Sequence, residues 1–314
     1  MKIAMVVEWP AVDAAGGSAF SEWETQVLKE LMHAADFRPD KIFCAHPHHV
    51  YKWAALWEGG KIGGKPLPGV QASREKLWAQ LAGYDIVLTL GQHAMWALTG
   101  ETKIDTYRGT HIDSPFVEGL QVVPTYAPYV FCRMAWNERP VVVSAMRKAK
   151  ARFEDRPRAI YIPQNVADLY AFSTEHIKDE MAFDVETCVG ARITEFSIAP
   201  TPDVCLYVQL ESRKHESMWS EQDELDIWLW LHFLAQRKDL TWIAHNATYD
   251  MSYLAEYGII PRGPILDTML RHHAYQPELE KSLGFLASLY IPGRAWKHLR
   301  TQSKKANNKA GAVD

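Results

Sequence analysis

The sequence predicts an α/β protein of two domains. Three observations predict it: 314 residues, about twice what one core usually serves; alternating strand-like and helix-like patterns through the first half; and three consecutive strand-like runs opening the second. A composition of 47% hydrophobic and 23% charged residues, with 18 Gly and 17 Pro, excludes collagen, coiled coil and wholesale disorder. No window approaches the roughly 18 uncharged apolar residues that cross a bilayer. The first nine residues turn acidic at Glu8, too soon for a signal peptide. No membrane partner is expected, and the cytoplasm is the expected compartment. Cys44, Cys132, Cys188 and Cys205 are scattered without a Cys-x-x-Cys pair, so reduced thiols are expected rather than a zinc ribbon or an iron–sulfur cluster.

An apolar, β-rich run over 2–9 gives the first strand. Residues 21–35 follow as a helix, because Trp23, Val27, Leu28 and Leu31 keep helical spacing, and Ser21 with Glu24 three residues on forms a capping box. Next come a strand over 41–45, a helix over 73–81, a buried strand over 85–90, a helix over 93–98 and a strand over 120–125. A helix over about 140–153 closes this half. Alternation with apolar central strands reads as a helix-covered parallel sheet.

Between Arg152 and Arg158 the chain becomes charged and loses its apolar period, which sets a boundary within 152–178, placed near 175. Strands over 181–187, 192–198 and 204–210, joined by Gly- or Pro-containing turns, read as an antiparallel meander. An apolar helix over 221–236 and a strand over 241–245 follow. Beyond Ala247 the pattern is mostly helical: Ile265-Leu266-Asp267-Thr268-Met269 begins one helix, and 279–290 forms another with Leu283, Leu286 and Tyr290 on one stripe. Both read as packing. The expected organisation is a domain over 1–153, a linker over 154–175, a second domain over 176–292 and a basic tail over 293–314.

The net charge of −4 gives no global attraction to nucleic acid, yet it hides a local asymmetry. Residues 181–292 hold 8 basic and 16 acidic residues, whereas 293–314 hold 6 basic residues and one acid. Arg294, Lys297, Arg300, Lys304, Lys305 and Lys309 can neutralise phosphates or simply be solvated, and Trp296 can stack on a base or pack.

Asp184 and Glu186 stand two apart on a strand, so both carboxylates project from one face. Such a pair is either a solvated strand face or half of a divalent metal site, since adjacent carboxylates repel unless a cation or proton lies between them. His245-Asn246-Ala247-Thr248-Tyr249-Asp250 lies where a strand gives way to a helix, with Asn246 able to cap it and Asp250 on its first turn. Asp250 is then either a favourable charge near the helix dipole or a third carboxylate delivered beside the strand pair.

These residues resemble the proofreading 3′–5′ exonuclease domain of family A DNA polymerases, in the DEDD superfamily with its RNase H-like fold. Phe183-Asp184-Val185-Glu186-Thr187 is similar to the first motif of that family and Asn246-Ala247-Thr248-Tyr249-Asp250 to the second, 66 residues on. The resemblance implies two Mg2+ or Mn2+ ions held by Asp184, Glu186, Asp250 and a fourth aspartate. It implies a water activated on one ion and a leaving 3′ oxygen stabilised by the other. Thr187, Asn246 and Tyr249 would meet the terminal nucleotide of a single-stranded 3′ end of DNA. The family's third motif, Tyr-x-x-x-Asp or His-x-x-x-x-Asp, has no counterpart after Asp250. The chain is therefore expected to be a fragment, or part of a split phage-type polymerase completed by another polypeptide, in a phage-infected bacterial cell or its equivalent. The alternative is a non-catalytic DNA-binding or assembly subunit.

The first half resembles the uracil-DNA glycosylase-like domain found at the start of some phage family A polymerases. Leu90-Gly91-Gln92-His93-Ala94, Tyr107-Arg108-Gly109-Thr110 and Val123-Pro124-Thr125-Tyr126-Ala127-Pro128 carry the likeness. Ala127 stands where active relatives carry a histidine, Val7-Glu8-Trp9-Pro10-Ala11 is a reduced form of their first motif, and their cluster cysteines are missing. A non-catalytic module is expected there. Arg108 is a candidate phosphate contact or a salt-bridge partner, and His46, His48 and His49 lack a suitably spaced acid or cysteine for a metal site.

Overall fold

The computed structural model describes residues 1–10, 19–50, 52–188, 192–212, 214 and 216–296. The chain divides into two compact units, one formed by Met1–Glu154 with the segment from Glu278 onward, the other by Asp155–Pro277. None of the helices among the described residues is long and apolar enough to cross a membrane.

The first unit runs β1 (Ile3–Val7), α1 (Glu22–Ala35), β2 (Lys41–Cys44), α2 (Pro68–Leu81), β3 (Ile86–Leu90), α3 (Gln92–Thr99), α4 (Ile104–Tyr107), β4 (Ile112–Asp113), β5 (Gln121–Thr125) and α5 (Arg139–Lys148). Its sheet has the order β2-β1-β3-β5-β4, parallel except for the last pair. Strand alternation sends Met5, Val7, Leu88 and Leu90 into a core with α1 and α5. Ala4, Val6, Val87 and Val122 go into a second core containing residues of α2 and α3. With both faces covered, the central strands β1 and β3 are apolar but for Thr89.

Ser21 and Glu24 form the expected capping box, each receiving the other's backbone N–H. Helix α2 begins at Pro68, ahead of the periodic run, because proline lacks the N–H that a first turn cannot use and its φ is already helical. Helix α5 stops at Lys148, short of 153. The chain beyond it is drawn back to β5 by Gln121, whose amide donates to Phe153 O at 2.8 Å and accepts from Phe153 N at 2.9 Å.

Past the end of β1, Glu8 turns inward and accepts the N–H of His93 at 2.8 Å, in the first turn of α3. Gly91, at φ +105°, lets the two segments meet, since a Cβ there would collide with the Glu8 carboxylate. Burial pushes Glu8 up to about 7, against the opposing pull of the His93 and Gln92 N–H groups.

The second unit comprises β6 (Ala159–Tyr161), α6 (Val166–His176), β7 (Glu180–Thr187), β8 (Ile193–Thr201), β9 (Val204–Gln209), α7 (Glu221–Ala235), β10 (Thr241–Ala244), α8 (Ala247–Glu256), β11 (Ile265–Asp267) and α9 (Thr268–Tyr275). Its sheet order is β11-β10-β7-β8-β9-β6. The meander β7-β8-β9 is antiparallel, as the sequence predicts, while β10 runs parallel to both β7 and β11. Met181, Phe183 and Val185 of β7 enter a core with Phe196, Ile198, Trp230, Leu231 and Trp242. Burying an aromatic of this size contributes roughly 2–3 kcal/mol.

Two sequence expectations are corrected here. Residues 154–175 are not a bare linker, because β6 pairs with β9 at the sheet edge and α6 packs Leu169 and Phe172 into the core. The edge strand is exposed at all three positions, so it carried no alternation to detect. Ile265–Asp267 forms β11 before α9 begins, rather than the start of a helix.

The last described helix, α10 (Leu283–Tyr290), belongs to the first unit and not to the second. It buries Phe285, Leu286 and Leu289 with Val141, while Leu283 and Tyr290 are exposed, so the expected stripe is out of phase. Ser144 Oγ donates to Leu289 O, and Lys148 Nζ donates to Ser288 O and, at 3.0 Å, to Gly109 O. Burial brings Lys148 down to about 7.

Glu8 generates a pH prediction. With a folded value near 7 and an unfolded value of 4.5, the folded state binds the extra proton between those limits. Its stabilisation is full below about 4.5 and is lost as pH rises through 7. Glu8→Gln keeps an acceptor for His93 N. It is expected to remove that dependence and to raise stability at pH 8 by roughly 3 kcal/mol, as read by urea denaturation across the pH range.

Candidate active site

Strand β7 alternates as its sequence requires: Met181, Phe183 and Val185 are buried, while Asp184 and Glu186 lie on the opposite face. Strand β10 pairs with β7 only as far as Ala182. Beyond that point the chain leaving β10 passes through His245 and Asn246 and becomes α8, whose first turn carries Asp250. Asp250 Oδ1 accepts the backbone N–H of Val185 at 3.0 Å. A side-chain carboxylate thus continues the pairing that β10 gives up, and it does so at the residue between Asp184 and Glu186.

Asp250 is only 3% exposed. Burial pushes its carboxyl up to about 6, the Val185 N–H opposes that, and the negative charges of Asp184 and Asp267 add to it. The site therefore concentrates like charge around a poorly hydrated carboxylate, the condition that a proton or a cation relieves. Beside it, Thr187 Oγ1 and Tyr249 OH share a hydrogen bond of 2.7 Å, joining the end of β7 to the first turn of α8. The Tyr249 ring stays exposed and lies 4.8 Å from that of Tyr253. Five of the six predicted catalytic and nucleotide-facing residues, Asp184, Glu186, Thr187, Tyr249 and Asp250, are thus gathered where β7 and α8 meet.

Asn246 plays a different part from the one its sequence position suggests. Its side chain does not cap α8, and its backbone sits in the left-handed region at φ +67°. The cap comes from Asp267, at the end of β11, which accepts the N–H groups of Asn246 at 3.1 Å and Ala247 at 2.9 Å. Sequence reading assigned the Asp267 segment to packing. An aspartate before a helical run is a signal for a cap on α9, but it carries no sign of the second helix that Asp267 serves. Nor do the carboxylates close into the expected two-ion cage: among the described residues no three His, Cys, Asp or Glu side chains form a group able to hold a metal ion.

The candidate DNA contacts fare differently. Arg108 is 4% exposed and does not reach outward. Its guanidinium donates to Asp105 O, lies 3.3 Å from Glu280 and sits 4.6 Å over the Phe285 ring. It is a salt-bridge and packing residue rather than a phosphate contact. Arg294 pairs with Asp113 at 2.7 Å, and Trp296 is half exposed. Lys297 and Arg300 lie outside the described residues.

Residues 160–310 match the 3′–5′ exonuclease family model. The match takes in the whole constellation at β7 and α8. No curated protein matches the chain. Among solved structures, Brucella melitensis NrnC is 17% identical over 43% of this chain and 60% of its own, with a TM-score of 0.30. The Aedes aegypti Nibbler EXO domain is 18% identical over 46% of this chain and 75% of its own, at 0.35. The POL domain of Pol1 from M. smegmatis, in complex with DNA primer-template and dNTP, is 24% identical over 43% of this chain and 22% of its own, at 0.33. The chain thus spans less than two thirds of NrnC and under a quarter of the Pol1 chain.

The exonuclease-like segment generates a stability prediction. At neutral pH Asp250 is held ionised in a site that favours its protonated form. Asp250→Asn preserves an oxygen for Val185 N and removes the charge. It is expected to stabilise the metal-free chain by roughly 2–3 kcal/mol at pH 7.5, whereas Asp250→Ala, which leaves that N–H unpaired, is expected to lie about 1–3 kcal/mol below the Asn variant. Urea denaturation of both variants checks the order.

Proposed function

We propose that this chain is the 3′–5′ exonuclease part of a phage-type family A DNA polymerase, removing nucleotides from a single-stranded 3′ end by divalent-cation-dependent hydrolysis. The observation that carries this is the hydrogen bond from Val185 N to Asp250 Oδ1, which sets a buried carboxylate between Asp184 and Glu186. The exonuclease match over 160–310 supports the reading.

The donors are carboxylate oxygens, the chemistry that hard Mg2+ or Mn2+ ions take. Asp184, Glu186 and Asp250 would hold them. When bound, such an ion lowers the pKa of a water and offsets charge on a leaving oxygen. The residues around it do the rest. Burial and the charges of Asp184 and Asp267 raise the affinity of Asp250 for a proton, and a cation held there would offset the same crowding of charge. The joined hydroxyls of Thr187 and Tyr249 offer a terminal nucleotide hydrogen-bonding groups, and the exposed Tyr249 ring offers a stacking face.

A second reading rests on the third motif, Tyr-x-x-x-Asp or His-x-x-x-x-Asp, which has no counterpart after Asp250. On it the chain is a non-catalytic DNA-binding or assembly subunit, whose affinity for single strands falls with salt without divalent-dependent turnover.

A 5′-labelled single strand incubated with Mg2+ or Mn2+, with and without an added polymerase fragment, separates the two. Progressive shortening from the 3′ end is expected. Asp184→Ala, Glu186→Ala and Asp250→Ala should each slow it by more than about 100-fold, since even outer-shell partners of metal ligands cost roughly 10–100-fold. Degradation that survives Asp184→Ala assigns the cleavage to another site. Salt-sensitive binding with no shortening in either mixture replaces the exonuclease reading with the second.

A further inference from the structure

We propose that Asp267 is the positioning residue of this site: one carboxylate that ties the turn before α8 to the start of α9 and so fixes where Asp250 meets β7. Its functional consequence rests on the exonuclease reading, but its geometry does not.

Asp267 ends β11, which pairs in parallel with β10 so that Asp267 stands beside Ala244, the last residue of that strand. From there its carboxylate accepts four backbone N–H groups. Asn246 (3.1 Å), Met269 (2.8 Å) and Leu270 (3.2 Å) donate to Oδ1, and Ala247 (2.9 Å) donates to Oδ2. Two of these donors precede or begin α8 and two lie in the first turn of α9, so a single side chain serves two helix starts. Burial raises the Asp267 carboxyl, yet the four N–H bonds outweigh it and hold it below the usual carboxylate range.

The tie matters because of what it holds. Asn246 is one of two non-glycine residues with positive φ among the described residues, and its own side chain offers α8 no cap. A left-handed residue ahead of a helix sets the direction in which that helix leaves, and it persists only where the surroundings fix it. Asp267 supplies that fixation, and the next residue reinforces it: Thr268 Oγ1 meets His245 Nδ1 at 2.9 Å and donates to Ala244 O at 3.1 Å. Asp250 lies four positions beyond Asn246, so a rotation at the turn moves its carboxylate relative to Val185 N. Both Asp267 oxygens are engaged by backbone N–H groups, so its part is to hold chain in place. It acts through Asp250.

Amide hydrogen exchange at Val185 in the metal-free full chain reads this directly. Asp267→Ser keeps a hydroxyl for Met269 and Leu270 N–H, and hence a cap on α9, but it is too short to reach Asn246 and Ala247. Val185 exchange is expected to accelerate by roughly tenfold, the scale of a lost cap, while the core amide of Ile198 in β8 stays unchanged. Asp267→Asn, which retains the reach and one acceptor, is expected to restore part of the protection. Val185 exchange within about twofold of wild type in Asp267→Ser, the spread of ordinary surface substitutions, would overturn the proposal. Should the Ser variant unfold, with Ile198 exchanging as well, the same limits applied to Asp267→Asn decide. A wild-type chain that never shortens DNA sinks the exonuclease reading and leaves the exchange result to judge the tie alone.

Discussion

One hydrogen bond organises the second unit around its chemistry: the Val185 N–H to the Asp250 carboxylate. It links residues 65 apart in sequence. Strand β10 stops pairing with β7 at Ala182, and an unpaired strand N–H deprived of water is costly. The chain answers by turning β10 into α8 and offering a side chain where a strand had been. Because a backbone N–H lies in the plane of the sheet while side chains leave it alternately, a carboxylate bonded there necessarily stands between the projections of residues 184 and 186.

That placement sets stability against function. Burial and neighbouring negative charge make the ionised Asp250 expensive, and nothing in the packing of Phe183, Phe196 and Trp242 requires it. A core built for stability alone would put a neutral side chain there. Retaining an acid at such a position concentrates binding potential for a cation in one place, and the surrounding sheet and α7 core supply the stability that offsets its cost.

The first unit spends its charges differently. Glu8 accepts N–H groups at the start of α3, Lys148 donates to Ser288 O of α10 and to Gly109 O, and Arg108 lies over Phe285. Each is buried and each is consumed by holding chain to chain. The segments that carry Glu8, His93 and Arg108 are occupied by bonds within the protein itself.

Much of this was legible beforehand, for identifiable reasons. Strand alternation alone places Asp184 and Glu186 on one face, helical spacing with Ser21 and Glu24 fixes α1, and the meander β7-β8-β9 follows from apolar runs broken by Gly and Pro. These are local signals, carried by residues a few positions apart. Edge strand β6 was not legible, because all three of its residues are exposed and leave no periodic trace. Nor was the membership of α10, since a helix shows its apolar face without naming the surface it will cover. The role of Asp267 escaped because its partners, Asn246 and Ala247, lie about twenty residues away and meet it only through the pairing of β11 with β10. The sequence by itself determined most of the core strands and helices and the identity of the acids. Only the tertiary structure decided which backbone groups those acids would satisfy, because hydrogen-bond partners distant along the chain are chosen by strand order and register, and neither is written in local periodicity.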